Sequence, residues 1–251
     1  MIQGPIAHIV LELFAYIVGG FLYRSQSSGS LAPAQQKLQY FGVIAGALFG
    51  AATGSKLLYI LDYWGALQSL PFSVWLSGKT IVGALLGGLI GVEFAKKFVN
   101  WPYSTGDRFV WPLIIGMMIG RLGCQLAGLE DLTYGGVTTM PWGWNYGDGV
   151  MRHPVALYEI MGLAGIAVLI QASRTRFTLA GDRFKLFLIL YLALRVALDF
   201  LKPPHAPVAL SMLLPNHYGP FTAIQWACLC GLVYYLPTVR QWSHRSMTKE
   251  T

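Results

Sequence analysis

The run RFVWPLIIGMMIGRLGCQLA, residues 108–127, decides what kind of protein this is. It has the length of a membrane crossing, which takes about 20 mostly apolar residues. Its only charges are Arg108 at one edge and Arg121 near the other. Comparable runs cover roughly 6–24, 38–61, 79–98, 154–173, 184–202 and 221–238, so seven spans are predicted. None alternates apolar with polar residues, which excludes a membrane β-barrel and leaves helices, whose backbone groups all bond internally. Of the 251 residues 55% are hydrophobic and 12% charged, against about 25% charged in soluble domains. The sequence therefore reads as an all-α integral membrane protein, one seven-span domain over 1–251.

The charges orient it. Arg24, Lys37, Lys96, Lys97, Arg108, Arg174, Arg176, Arg183, Lys185, Arg240, Arg245 and Lys249 fall on one side, 12 of the 18 basic residues. Basic residues concentrate on the cytoplasmic side, so the N-terminus is expected outside and the C-terminus inside. The net charge of +7 is accounted for in this way, and no basic–aromatic module points to nucleic acid. No cleavable signal peptide is expected, because no basic segment precedes the first span and no small-residue cleavage site follows it. Cys124, Cys228 and Cys230 form no disulfide framework. Gly42, Gly46, Gly50 and Gly54, then Gly83, Gly87 and Gly91, recur every fourth residue, the spacing at which helices pack closely in lipid. Two extracytoplasmic segments, 62–78 and 128–153, are rich in aromatics and read as interfacial and lid elements.

Six basic residues run against the bias: Lys56, Lys79, Arg121, Arg152, Arg195 and Lys202. All fall in the outer half of the membrane or just beyond it. An arginine at mid-helix costs about 2.5–3.5 kcal/mol on insertion scales, so Arg195 and Arg121 need a reason. One is internal pairing, since Asp199 is one turn after Arg195 and Lys202 three residues after Asp199. The other is an anion held between helices, for which the planar guanidinium is suited. Six cations at one leaflet favour a phospholipid headgroup and a lipid-handling protein.

The stretch RHPVALYE, residues 152–159, opens the fifth span. Pro154 suits a first helical position, leaving Arg152 and His153 at the interface. Tyr158 and Glu159 follow one turn inside, with Glu159 expected to face the bundle. His153 is a candidate general base by its ordinary pKa range. His8, His153, His205, His217 and His244 show no metal-ligand spacing, and no GxSxG elbow is present.

Together these motifs resemble the prolipoprotein diacylglyceryl transferase family. RHPVALYE is similar to that family's Arg-His-Pro-x-x-Leu-Tyr-Glu, and GRLGCQLAG (120–128) to its Gly-Arg-x-x-Asn-x-x-Asn-Gly-Glu signature. GGLIG (87–91) matches the glycines of its His-Gly-Gly motif, and LRVALDFLKPP (194–204) its Arg-x-x-x-Glu-x-x-Arg helix. The resemblance implies a seven-span enzyme of the bacterial plasma (inner) membrane. It would move a diacylglyceryl group from phosphatidylglycerol to the lipobox cysteine thiol in a prolipoprotein signal peptide, with no cofactor or metal. Arg121, Arg195, His153 and Glu159 would be catalytic. Lys79, Gly87, Gly88, Glu130, Arg152, Tyr158, Asp199 and Lys202 would bind substrate. The chain departs from the pattern where Leu86 takes the place of the motif histidine, Cys124 and Ala127 those of the asparagines, and Leu129 that of the acid, with Glu130 next to it. A lipid-binding or transporting membrane protein with the same anion pocket is the alternative reading.

Overall fold

In the computed structural model of the protein, residues 4–26, 34–202 and 215–247 are described. His205, the two prolines before it and Lys249 lie outside them. The chain is mostly helical. The longer helices are α1 (Gly4–Ser25), α2 (Ala34–Asp62), α5 (Ile81–Val99), α6 (Val110–Ala127), α7 (Val155–Ala172), α8 (Asp182–Asp199) and α9 (Ala223–Met247). The segment after α2 forms two short helices, α3 (Trp64–Leu67) and α4 (Phe72–Ser77). Four helical stretches are long and apolar enough to cross a membrane: Ile6–Ser25, Gln35–Asp62, Gly106–Asp131 and Val155–Ala172. α8 is of similar length but carries Asp182, Arg183, Lys185, Arg195 and Asp199.

The helices gather into two compact units, residues 1–30 with 104–205, and residues 31–103 with 206–251. In the second unit the glycine rows of α2 and α5 meet backbone to backbone. A Cβ on Gly50 would run into the Gly87 carbonyl and stand 2.9 Å from Gly91 Cα, and one on Gly87 would stand 2.8 Å from Gly54 Cα. The glycine spacing is thus used for close helix approach, as expected in lipid. Caps finish these helices. Thr80 Oγ1 accepts from Gly83 N at the start of α5, and Thr222 and Gln225 bond reciprocally to each other's backbone N–H at the start of α9, a capping box. Asp62 Oδ1 accepts from Ile224 N at the same helix start, where the dipole favours an anion.

In the first unit α1 lies antiparallel on α6. A Cβ on Gly19 would stand 3.6 Å from Pro112 O, whereas one on Gly123 would stand 3.4 Å from His8 Cα. The start of α1 is therefore beside the end of α6. Asp107 secures α8 from a distance, accepting from Gly181 N at 2.7 Å and Phe184 N at 3.0 Å, so the first amides of that helix are satisfied. Residues 128–153 are ordered: a 3-10 turn at Gly128–Asp131, then the hairpin strands β1 (Trp144–Asn145) and β2 (Met151–Arg152).

Candidate active site

The first unit holds a buried charge network on three helices. Tyr191, Arg195 and Asp199 recur every fourth residue of α8, so they share one face. α7 brings Glu159 to them and α6 brings Arg121. Glu159 is fully buried. Its Oε1 accepts from Tyr191 OH at 2.8 Å, and its Oε2 from Arg195 Nη1 at 2.9 Å. Arg121 Nε stands 2.9 Å from the same Oε2, close enough for an ion pair although its N–H is not aimed along the contact. Arg195 Nη2 donates to Asp199 Oδ1 at 3.1 Å, and Lys202 Nζ pairs with that oxygen at 2.8 Å.

Both readings offered by the sequence meet here. The arginines are internally paired, yet three cations face two carboxylates, leaving one positive charge in excess. Arg121 Nη1 reaches Cys124 Sγ at 3.6 Å, and among the described residues its Nη2 makes no hydrogen bond. Such a site is biased towards an anion. Glu159 is poorly placed to act as a general base, because both arginines and Tyr191 hold its oxygens. It serves as their shared counter-ion.

The other candidates go elsewhere. Arg152 is buried, and Asp148 occupies its fork, at 2.8 Å from Nη1 and 2.7 Å from Nη2. Its guanidinium also lies 5.3 Å from the Tyr134 ring centre. The hydrogen bond from Arg152 holds the Asp148 carboxyl below its ordinary value, so the pair stays charged at neutral pH. Arg152 therefore staples the hairpin and is not free to bind phosphate through its fork. His153 Nδ1 is 3.1 Å from Tyr158 OH, which accepts from Trp142 Nε1 at 2.9 Å. Tyr158 thus ties the loop to α7. Glu130 is exposed on the 3-10 turn.

In the second unit, Lys79 is exposed just before α5. Gly87 is in backbone contact with α2, and a Cβ on Gly88 would make ordinary contact with Ala47 and Ala51. Lys56 Nζ donates to the carbonyls of Leu76 and Gly78, which explains that cation without a ligand.

Sequence reasoning missed Tyr191, although its place one turn before Arg195 was a signal. It also missed that His8 and Asp131 form a pair at 2.8 Å with Cys124 close by. These three are far apart in the chain, so no spacing rule could find them.

Comparison with known proteins matches residues 8–239 to the family described as prolipoprotein diacylglyceryl transferase. A protein of Nitratidesulfovibrio vulgaris strain Miyazaki F is 32% identical over 205 residues, covering 78% of this chain and 75% of its own. One from Geobacter sulfurreducens is 33% identical over 188 residues, 72% of this chain and 68% of its own. One from Coxiella burnetii is 30% identical over 202 residues, 76% and 74% respectively. Each is named phosphatidylglycerol–prolipoprotein diacylglyceryl transferase.

Proposed function

We propose a function from one established premise: the chain belongs to the prolipoprotein diacylglyceryl transferase family. It transfers the diacylglyceryl group of phosphatidylglycerol to the lipobox cysteine of a prolipoprotein, forming a thioether and releasing glycerol phosphate. The observation that carries this reading is the buried Arg121–Glu159–Arg195 cluster with its excess positive charge. The donor's phosphate diester is an anion, and a second negative charge grows on it as the carbon–oxygen bond breaks. Fixed cations in a water-poor site stabilise that growing charge without reorganising. Asp199, itself paired with Lys202, holds Arg195 from one side, and Glu159, to which Tyr191 donates, from the other.

The chain is a multi-pass membrane protein. The finer reading is seven spans in a bacterial inner membrane, with the N-terminus outside. The charge bias and the antiparallel contact of α1 with α6 support it, since the latter puts Arg121 at the same level as the N-terminus. The loop 128–153 is read as a lid on the headgroup layer, supported by its exposed Val137, Met140, Trp142, Trp144 and Met151. A reporter fused after Thr251 is expected to read cytoplasmic, and an external reading would overturn the orientation.

Activity is tested by incubating the purified protein with radiolabelled phosphatidylglycerol and a lipobox peptide. With the label in the glyceryl carbons of the diacylglyceryl group, it is expected on the peptide cysteine and to stay there in base, which cleaves the acyl esters but not the thioether. Retention of lipid on the protein, with no transfer from any phospholipid supplied, would leave a binder in place of the enzyme.

A further inference from the structure

The last turn of α6 carries a buried side chain that the charge network leaves unused. Gln125 is 6% exposed. It lies four residues after Arg121, so the two share a face of the helix, about 6 Å apart along its axis. Its Oε1 accepts from Tyr146 OH at 3.1 Å. Its Nε2 is buried and, among the described residues, has no hydrogen-bond partner. A buried donor left in that state is costly, and folded proteins hold few of them. Tying down the loop accounts for only half of this amide, because a tie to Tyr146 needs an acceptor and no N–H.

Tyr146 is itself held in place. Its ring centre lies 5.8 Å from that of Tyr134, over which the Arg152 guanidinium sits. It also packs at the end of α6, where a Cβ on Gly128 would stand 3.7 Å from its Cδ1. A phenol is protonated at neutral pH, so Tyr146 donates to Oε1 and the planar amide turns Nε2 away from it. The loop thus orients the amide and leaves its NH2 to serve the face that carries Arg121.

We propose that Gln125 reads the headgroup of the donor lipid: its Nε2 donates to a hydroxyl of the headgroup glycerol while Arg121 holds the phosphate. This deepens the transferase reading above and rests on it. The layout follows from the lipid's own order. Acyl chains run towards the bilayer centre, the phosphate comes next, and the headgroup glycerol is outermost. α6 ends beside the start of α1, the outer side in the orientation proposed above, so Gln125 is one turn farther out than Arg121. A phosphate at Arg121 therefore puts its headgroup glycerol at the level of Gln125. A hydroxyl oxygen can accept from the amide, whereas an ammonium headgroup offers only donors. Arg121 and Arg195 answer to the phosphate, which every phospholipid carries, and so cannot make this distinction.

The test compares phosphatidylglycerol with phosphatidylpropanol, which has the same charge and acyl chains but no headgroup hydroxyl. Binding of each lipid to the purified full-length protein in detergent is measured by native mass spectrometry, and transfer to a lipobox peptide is followed in parallel. The wild type should bind phosphatidylglycerol roughly 5–10-fold more tightly, the effect of one neutral hydrogen bond. In the transfer assay the preference should lie in KM and not in kcat, since the contact is made in the bound lipid and in the transition state alike. Gln125→Met, of similar length but without a donor, should bind both lipids equally, and Tyr146→Phe should lose part of the preference. Each ratio is taken within one variant, so a general loss of folded protein cancels. A wild type that binds both lipids equally would overturn the proposal, as would a Gln125→Met protein that keeps the preference. A Tyr146→Phe protein with the full preference would overturn the orienting part of Tyr146. If the preference appears in binding and no lipid is transferred, the transferase reading falls while the headgroup contact stands.

Discussion

Glu159→Ala is expected to destabilise the first unit by about 3–5 kcal/mol, the cost of removing one partner from a buried ion pair. Glu159 is fully buried and is the shared counter-ion of Arg121 and Arg195. Without it two guanidiniums from different helices would stand together in a region with little water to screen them. Asp199 relieves Arg195 in part, since it lies 3.1 Å away and is one turn along the same helix. Arg121 has no second carboxylate among its described contacts. Glu159→Gln should cost less than alanine, because the side chain still fills its place and its amide oxygen can still accept, but it should still destabilise, since its NH2 must then face the arginines or Tyr191, all donors. Thermal melting of the detergent-solubilised variants checks this. An alanine variant that melts with the wild type would mean that the arginines do not depend on Glu159.

Arg121→Ala is expected to lower diacylglyceryl transfer by at least about 10²–10³-fold, the range seen when one donor to a developing oxyanion is removed. Arg121→Lys should recover little of it. A lysine keeps the charge but loses the planar fork, and the fork is what lets Arg121 touch Glu159 through Nε while leaving Nη2 for a ligand. The folding cost of these variants is separable, since Arg121 sits at the edge of the network and Arg195 continues to neutralise Glu159. By contrast, Arg152→Ala should act through the loop, because Arg152 is engaged with Asp148. Initial rates of peptide lipidation at saturating lipid provide the measurement. Wild-type rates in Arg121→Lys would remove the need for the planar fork, and wild-type rates in Arg121→Ala would remove Arg121 from the reaction altogether.

What the sequence determined by itself was set by period and composition. Apolar runs of membrane length located the helical segments, because lipid leaves the backbone no alternative to internal hydrogen bonds. Glycine every fourth residue announced close helix packing, because only a row without side chains allows backbones to meet, while the pairing of the α2 row with the α5 row came from the tertiary structure. The pairing of Arg195 with Asp199 and of Asp199 with Lys202 was legible too, since neighbours on one helix face are fixed by its 3.6-residue turn. Tertiary structure decided everything that needed a second element. Periodicity tells which face of a helix is polar but not which helix it will meet. So the sequence placed Glu159 towards the bundle and could not say that it joins Arg121 to Arg195. The sequence set Arg152 among the substrate-binding residues and could not say that the hairpin would turn Asp148 onto its guanidinium. His8, Cys124 and Asp131 looked unrelated until the antiparallel packing of α1 on α6 brought one end of each helix to the same place.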